Sequence, residues 1–148
     1  MHSFEEVINF AIQHEEEEAA FYREMATRSK TRDQKEIMLE YALQEEDHKR
    51  RLQGIMENDC FKAGKRRCPD PDLKLSDYLV VDDRPNSMLG YQDALLLAAK
   101  REKKARQLYL DLAGRATNPN IQAVLMFLAE QEGKHASSLE QKYDDTLQ

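Results

Sequence analysis

Four glutamates and two histidines stand out for their type and spacing: Glu15, the pair Glu45 and His48, Glu102, and the pair Glu132 and His135. Carboxylate and imidazole side chains bind metals, and this combination on paired helices is the ligand set of a two-metal carboxylate site in a helix bundle. The set is written twice. Glu102 follows Glu15 by 87 positions, and Tyr109 follows Tyr22, Glu132 follows Glu45 and His135 follows His48 by the same interval. Ala11 with Ala98, Ala26 with Ala113, Ala42 with Ala129, Gln44 with Gln131 and Leu52 with Leu139 match at that offset too. Two such halves are expected to pack about a pseudo-twofold axis, and a site on that axis receives the same ligands from each.

The elements that position these residues are helices. Four long segments have helical rather than alternating periodicity, and Pro69, Pro71, Pro85 and Pro119 all fall between them. Ser3 with Glu6 and Thr31 with Gln34 fit capping boxes, and Asn118 before Pro119 fits an N-cap with proline in the first turn. Helix 3 is expected to begin near Ser87 and to end near Gly114. The spacing predicts helices over about 4–29, 32–58, 87–116 and 119–143. The first and last connections are short enough only for antiparallel hairpins. The middle one, with a short turn expected at Ser76 to Leu79, can return the chain along the bundle. The expected fold of residues 1–148 is therefore a single all-α domain, two helical hairpins joined by a long crossover, which is the connection type of ferritin-like bundles.

Steps of three and four residues place the six candidates on inward seams. Helix 1 reads Phe4, Ile8, Ala11, Glu15, Glu18, Tyr22, Met25; helix 3 reads Tyr91, Leu95, Ala98, Glu102, Ala105, Tyr109, Leu112. Glu45 and His48 lie between Tyr41 and Leu52 on helix 2, and Glu132 and His135 between Leu128 and Leu139 on helix 4. Glu15 and Glu45 are equidistant from the first turn, as Glu102 and Glu132 are from the last, so each pair is level, about 22 Å from its turn at 1.5 Å per residue. Carboxylates in an apolar seam lose hydration and repel one another. Two divalent cations offset four such charges, and oxygen donors with one imidazole per metal suit iron first and manganese second. The competing accounts are a solvated helix face and a metal-free hydrogen-bonded network. Tyr22 and Tyr109 share the seam and are expected to donate to ligand carboxylates across the axis. Glu18, opposite Ala105 in the repeat, is either a seventh carboxylate or a residue reaching solvent at the bundle edge. His14, one step off the seam, and the terminal His2 receive no metal role, and Glu16 and Glu17 are expected to be solvated.

Composition narrows the function. A net charge of −6 and a pI near 5.3 leave no basic footprint for nucleic acid or an anionic membrane. The basic run Lys62, Lys65, Arg66 and Arg67 is local; it reads as a solvated loop or as a docking patch for an acidic electron donor. No run reaches the roughly 18–20 apolar residues that cross a bilayer, and the N-terminus lacks the layout of a secretion signal, so a soluble, cytoplasmic protein is expected. Cys60 and Cys68 fit neither a redox pair nor half of a thiolate metal site and are expected to be free thiols. Electrons must then come from elsewhere.

With Glu-x6-Tyr and Glu-x-x-His in order, twice, and local text such as Glu15 to Ala26 and Leu128 to His135, the chain resembles the rubrerythrin branch of the ferritin-like superfamily. The resemblance implies a non-haem di-iron centre reacting with peroxide or dioxygen, commonly in a homodimer. It assigns Glu15, Glu45, Glu102 and Glu132 as carboxylate ligands and His48 and His135 as imidazole ligands. Rubrerythrin proper has a further glutamate where this chain has Ala105, and it carries a rubredoxin domain that these residues do not supply. The ligand set is equally similar to that of bacterioferritin. The leading expectation is a peroxidase-type oxidoreductase served by a separate electron-donor protein. The alternatives are a ferroxidase or iron-handling protein and a metal-free helical interaction module.

Overall fold

The computed structural model describes residues 3–57, 73–82, 84 and 88–148, and in them the chain forms four long helices and no strand. These are α1 (Phe4–Arg28), α2 (Arg32–Met56), α3 (Tyr91–Arg115) and α4 (Pro119–Thr146), with a short 3-10 helix at Leu75–Tyr78 in the crossover. The expected all-α bundle is borne out. His2, Cys60, Cys68, the run Lys62, Lys65, Arg66 and Arg67, and Pro69, Pro71, Pro85 and Ser87 lie outside the described residues.

The helix starts follow from local chemistry. Ser3 and Glu6 form a reciprocal capping box, and Thr31 accepts the backbone N–H of Gln34. Gln34 itself reaches one residue further back, to the Lys30 N–H, so the second box is not closed in the expected way. The Asn118 side chain accepts the N–H groups of Asn120 and Ile121, with Pro119 filling the first turn. α3 begins at Tyr91 rather than near Ser87, because Leu89 and the extended Gly90 precede it and Gly90 has no side chain with which to cap. α4 continues three residues past the expected 143, to Thr146.

α1 pairs with α2 and α3 with α4, and the hairpins meet along α1–α3 and α2–α4. The core is divided into two apolar clusters. One gathers Phe4, Ile8, Leu52, Leu112, Ile121 and Leu125 at one end of the bundle; the other gathers Met25, Met38, Leu95, Ala98 and Leu139 at the other. α2 therefore ends at the first cluster and α3 starts at the second, so the crossover runs the length of the bundle. Neighbouring helices are all antiparallel. Between the clusters lies a layer of buried polar side chains: Glu15, Glu18, Glu45, His48, Glu102, Glu132 and His135. The seams are buried as expected except at Tyr91, which is only half-buried.

Candidate metal centre

None of the six residues with ligand chemistry is more than 4% exposed, and Glu15, Glu45, Glu102 and Glu132 are fully buried. Each sits at mid-helix, where the seam passes from one apolar cluster to the other. Their contacts cross between the hairpins. His48 Nδ1 lies 2.9 Å from Glu132 Oε1, and its counterpart His135 Nδ1 lies 2.8 Å from Glu45 Oε1. His48 Nδ1 is also 3.7 Å from Glu15 Oε2 and 3.6 Å from Glu45 Oε2, while His135 Nδ1 is 3.8 Å from Glu102 Oε2. The two imidazole rings stack, with centroids 5.7 Å apart.

The donor atoms fall into two groups that could each hold a metal ion. Glu15, Glu45, His48 and Glu132 form one, Glu45, Glu102, Glu132 and His135 the other, with the offered atoms of each lying within 4.8 Å of one another. Glu45 and Glu132 belong to both groups. That places them between two cation positions, with Glu15 and Glu102 at the flanks, a division not visible in the sequence.

The fit to cations has its own structural sign. Oε2 of Glu15, Glu45, Glu102 and Glu132 are all buried without a hydrogen-bond partner. Leaving one buried acceptor unsatisfied costs about 1–3 kcal/mol, and more when it is charged. Four in one layer make a donor set short of positive charge, which two divalent ions would supply.

The remaining contacts orient this layer. The Tyr22 hydroxyl donates to Glu102 Oε1 at 2.8 Å and the Tyr109 hydroxyl to Glu15 Oε1 at 2.5 Å, each reaching across the axis to the other hairpin. Burial first, then the neighbouring carboxylates, pushes both hydroxyl pKa values well up, so both stay protonated donors. His135 Nε2 donates to Gln44 Oε1, which turns its Nδ1 lone pair toward the carboxylates. The Tyr41 ring packs on His135 at 4.9 Å and its hydroxyl meets Ser138.

Two of the carboxyls are shifted in opposite directions. Burial, then the charges of Glu102 and Glu15, pushes Glu45 well above the carboxylate range. Burial pushes Glu15 up too, but the adjacent Glu45 carboxyl and His48 imidazole outweigh it and hold Glu15 at about 2. Without metal, the layer disfavours ionisation of Glu45 and favours the ionised form of Glu15.

Glu18 does not reach solvent. It is 2% exposed, its Oε1 stands 3.8 Å from Arg101 Nε, and it belongs to neither four-residue group. Glu16 and Glu17 are exposed as expected, Glu16 pairing with Lys49 at 2.6 Å. The sequence reading missed the roles of Gln44 and Arg101. The repeat of Gln44 at Gln131, each directly before a candidate ligand, was the available signal for the first; nothing in the pattern marked the second.

The sequence pattern of the ferritin-like domain family matches residues 5–143. The chain belongs to that family. Comparison with curated proteins and with solved structures finds no match. Family membership agrees with the bundle and its buried carboxylate and histidine layer, and no helix among the described residues of this ferritin-like chain is long and apolar enough to cross a membrane.

Proposed function

We propose that this ferritin-like protein is a non-haem di-iron oxidoreductase of the rubrerythrin type, with manganese as the alternative metal, reducing peroxide with electrons from a separate donor protein. The observation that carries the reading is the layer of four buried carboxylates, each with a partnerless Oε2, shared between two groups that each contain one imidazole. Zinc usually takes fewer ligands in a tetrahedral array, whereas oxygen-rich sites with one imidazole per ion suit iron and manganese.

In this reading Glu15, Glu45, His48 and Glu132 would hold one ion and Glu45, Glu102, Glu132 and His135 the other. The bound pair supplies two electrons and Lewis acidity, which with two protons convert hydrogen peroxide to two waters. The protein does the rest. Tyr22 and Tyr109 fix the flanking carboxylates, Gln44 fixes the His135 tautomer, and the apolar clusters on either side keep bulk water from the layer. A homodimer, as the rubrerythrin resemblance implies, and a cytoplasmic location, as the composition suggests, are part of the proposal.

The reaction is tested by stopped-flow oxidation of the reduced, metal-loaded protein. Oxidation by hydrogen peroxide is expected to outpace oxidation by dioxygen at equal concentration. The reverse order would contradict the peroxidase reading and favour ferroxidase or oxygenase chemistry.

A further inference from the structure

The internal repeat breaks at one buried position. α1 carries Glu18 where α3 carries Ala105, and both are buried, at 2% and 4% exposure. Ala105 packs into an apolar cluster, whereas Glu18 lines a cavity of 220 Å³. His14 and Arg101, which are 87 positions apart and hence equivalent in the repeat, line the same cavity from α1 and α3. Leu79 and Val80 of the crossover form another wall.

This cavity is polar where it nears the metal layer. His14 Nε2 and Glu18 Oε2 are both buried without a hydrogen-bond partner, and Arg101 brings a guanidinium beside Glu18 Oε1. Glu18 faces two ways, since its charge also bears on Glu102, Glu15 and Glu45. It is the wall shared by cavity and layer.

We propose that the cavity is the port and holding site through which a small molecule of the hydroperoxide class reaches the paired carboxylates, with Glu18, His14 and Arg101 as its polar contacts. The proposal rests on the two-metal reading above. A hydroperoxide carries both an O–H and acceptor oxygens, so it can bond to the unpartnered Glu18 Oε2 and His14 Nε2 while another of its oxygens accepts from the Arg101 guanidinium. At about 30 Å³ per water the cavity holds only a few such molecules. Reactant therefore enters between α1 and α3, under the crossover, and Glu18 is a positioning residue.

The probe is azide, added by stopped flow to protein loaded with cobalt(II), with absorption as the readout and metal content measured on the same samples. Val80→Trp narrows the port and is expected to slow azide association at least ten-fold at unchanged cobalt content. Val81→Trp, at a residue 80% exposed and outside the cavity wall, should leave the rate unchanged. Phe10→Trp narrows the same cavity from α1 and replaces Val80→Trp if that variant fails to fold. Wild-type azide rates in a folded, fully loaded, narrowed variant would overturn the port. Glu18→Leu should admit azide at least as fast as wild type in the cobalt form, yet its reduced iron-loaded form should be oxidised by hydrogen peroxide about ten-fold more slowly, with partial recovery in Glu18→Gln. An unchanged peroxide rate in Glu18→Leu would overturn its positioning role. Failure of the wild-type protein to take up cobalt would instead overturn the two-metal reading itself.

Discussion

Glu45 and Glu15 are shifted in opposite directions in the metal-free layer, and this gives stability a pH dependence of defined sign. Glu45 and Glu18 have carboxyls raised by burial first and by neighbouring carboxylates second. Folded protein then keeps protons that the unfolded chain has lost, so their contribution falls as pH rises above the ordinary glutamate value of 4.5. Glu15, held at about 2, contributes stability that is present above 4.5 and is lost as pH falls toward 2. Calorimetry of metal-free protein should therefore show Tm falling from about pH 5 to about pH 7. The metal-loaded form should lose Tm on acidification instead, because protons compete with metal for the carboxylates. A metal-free Tm that climbed over that range would contradict the upward shifts of Glu45 and Glu18. Tyr22→Phe and Tyr109→Phe each strip a buried carboxylate oxygen of its donor and should cost about 1–3 kcal/mol by urea unfolding. Their similarity is itself a prediction, since the two hydroxyls occupy equivalent places. These identities were legible because seam phase and equal distance from the turns bring the six candidates inward and level. Which glutamates are shared between the two groups was not, because periodicity fixes a residue's face and height on its own helix but not its neighbour on the other hairpin.

The helices repeat the lesson at their ends. Ser3, Thr31 and Asn118 announce α1, α2 and α4 through side chains that accept the first N–H groups, and Pro119 brings no N–H that needs a partner. α3 starts after Gly90, which makes no side-chain cap bond, so its start could not be read from capping chemistry. Thr31→Ala should lower stability by about 0.5–2 kcal/mol through the lost cap, without affecting metal content. The duplicated hairpins predict matched responses deeper in the bundle. Leu52 and Leu139 are equivalent in the repeat and fully buried in opposite apolar clusters. Leu52→Ala and Leu139→Ala should each cost about 2–5 kcal/mol. A large difference between them in chemical denaturation would show that the two ends of the bundle are not packed alike.

The bundle as a whole sets two apolar clusters against a charged layer that it cannot fully satisfy with its own hydrogen bonds. Stability is then coupled to whatever fills the layer. At free metal 100 times its Kd, binding should stabilise the fold by about 2.7 kcal/mol per site, visible with both sites filled as a rise of roughly 10–20 °C in Tm. The double variant His48→Ala with His135→Ala should remain helical by circular dichroism but show no such rise. The most direct test of the two-metal centre is elemental analysis of protein purified without chelator and again after anaerobic reconstitution. The account predicts two iron or manganese ions per chain, absent from that double variant; less than one ion per two chains, in both preparations, would contradict it.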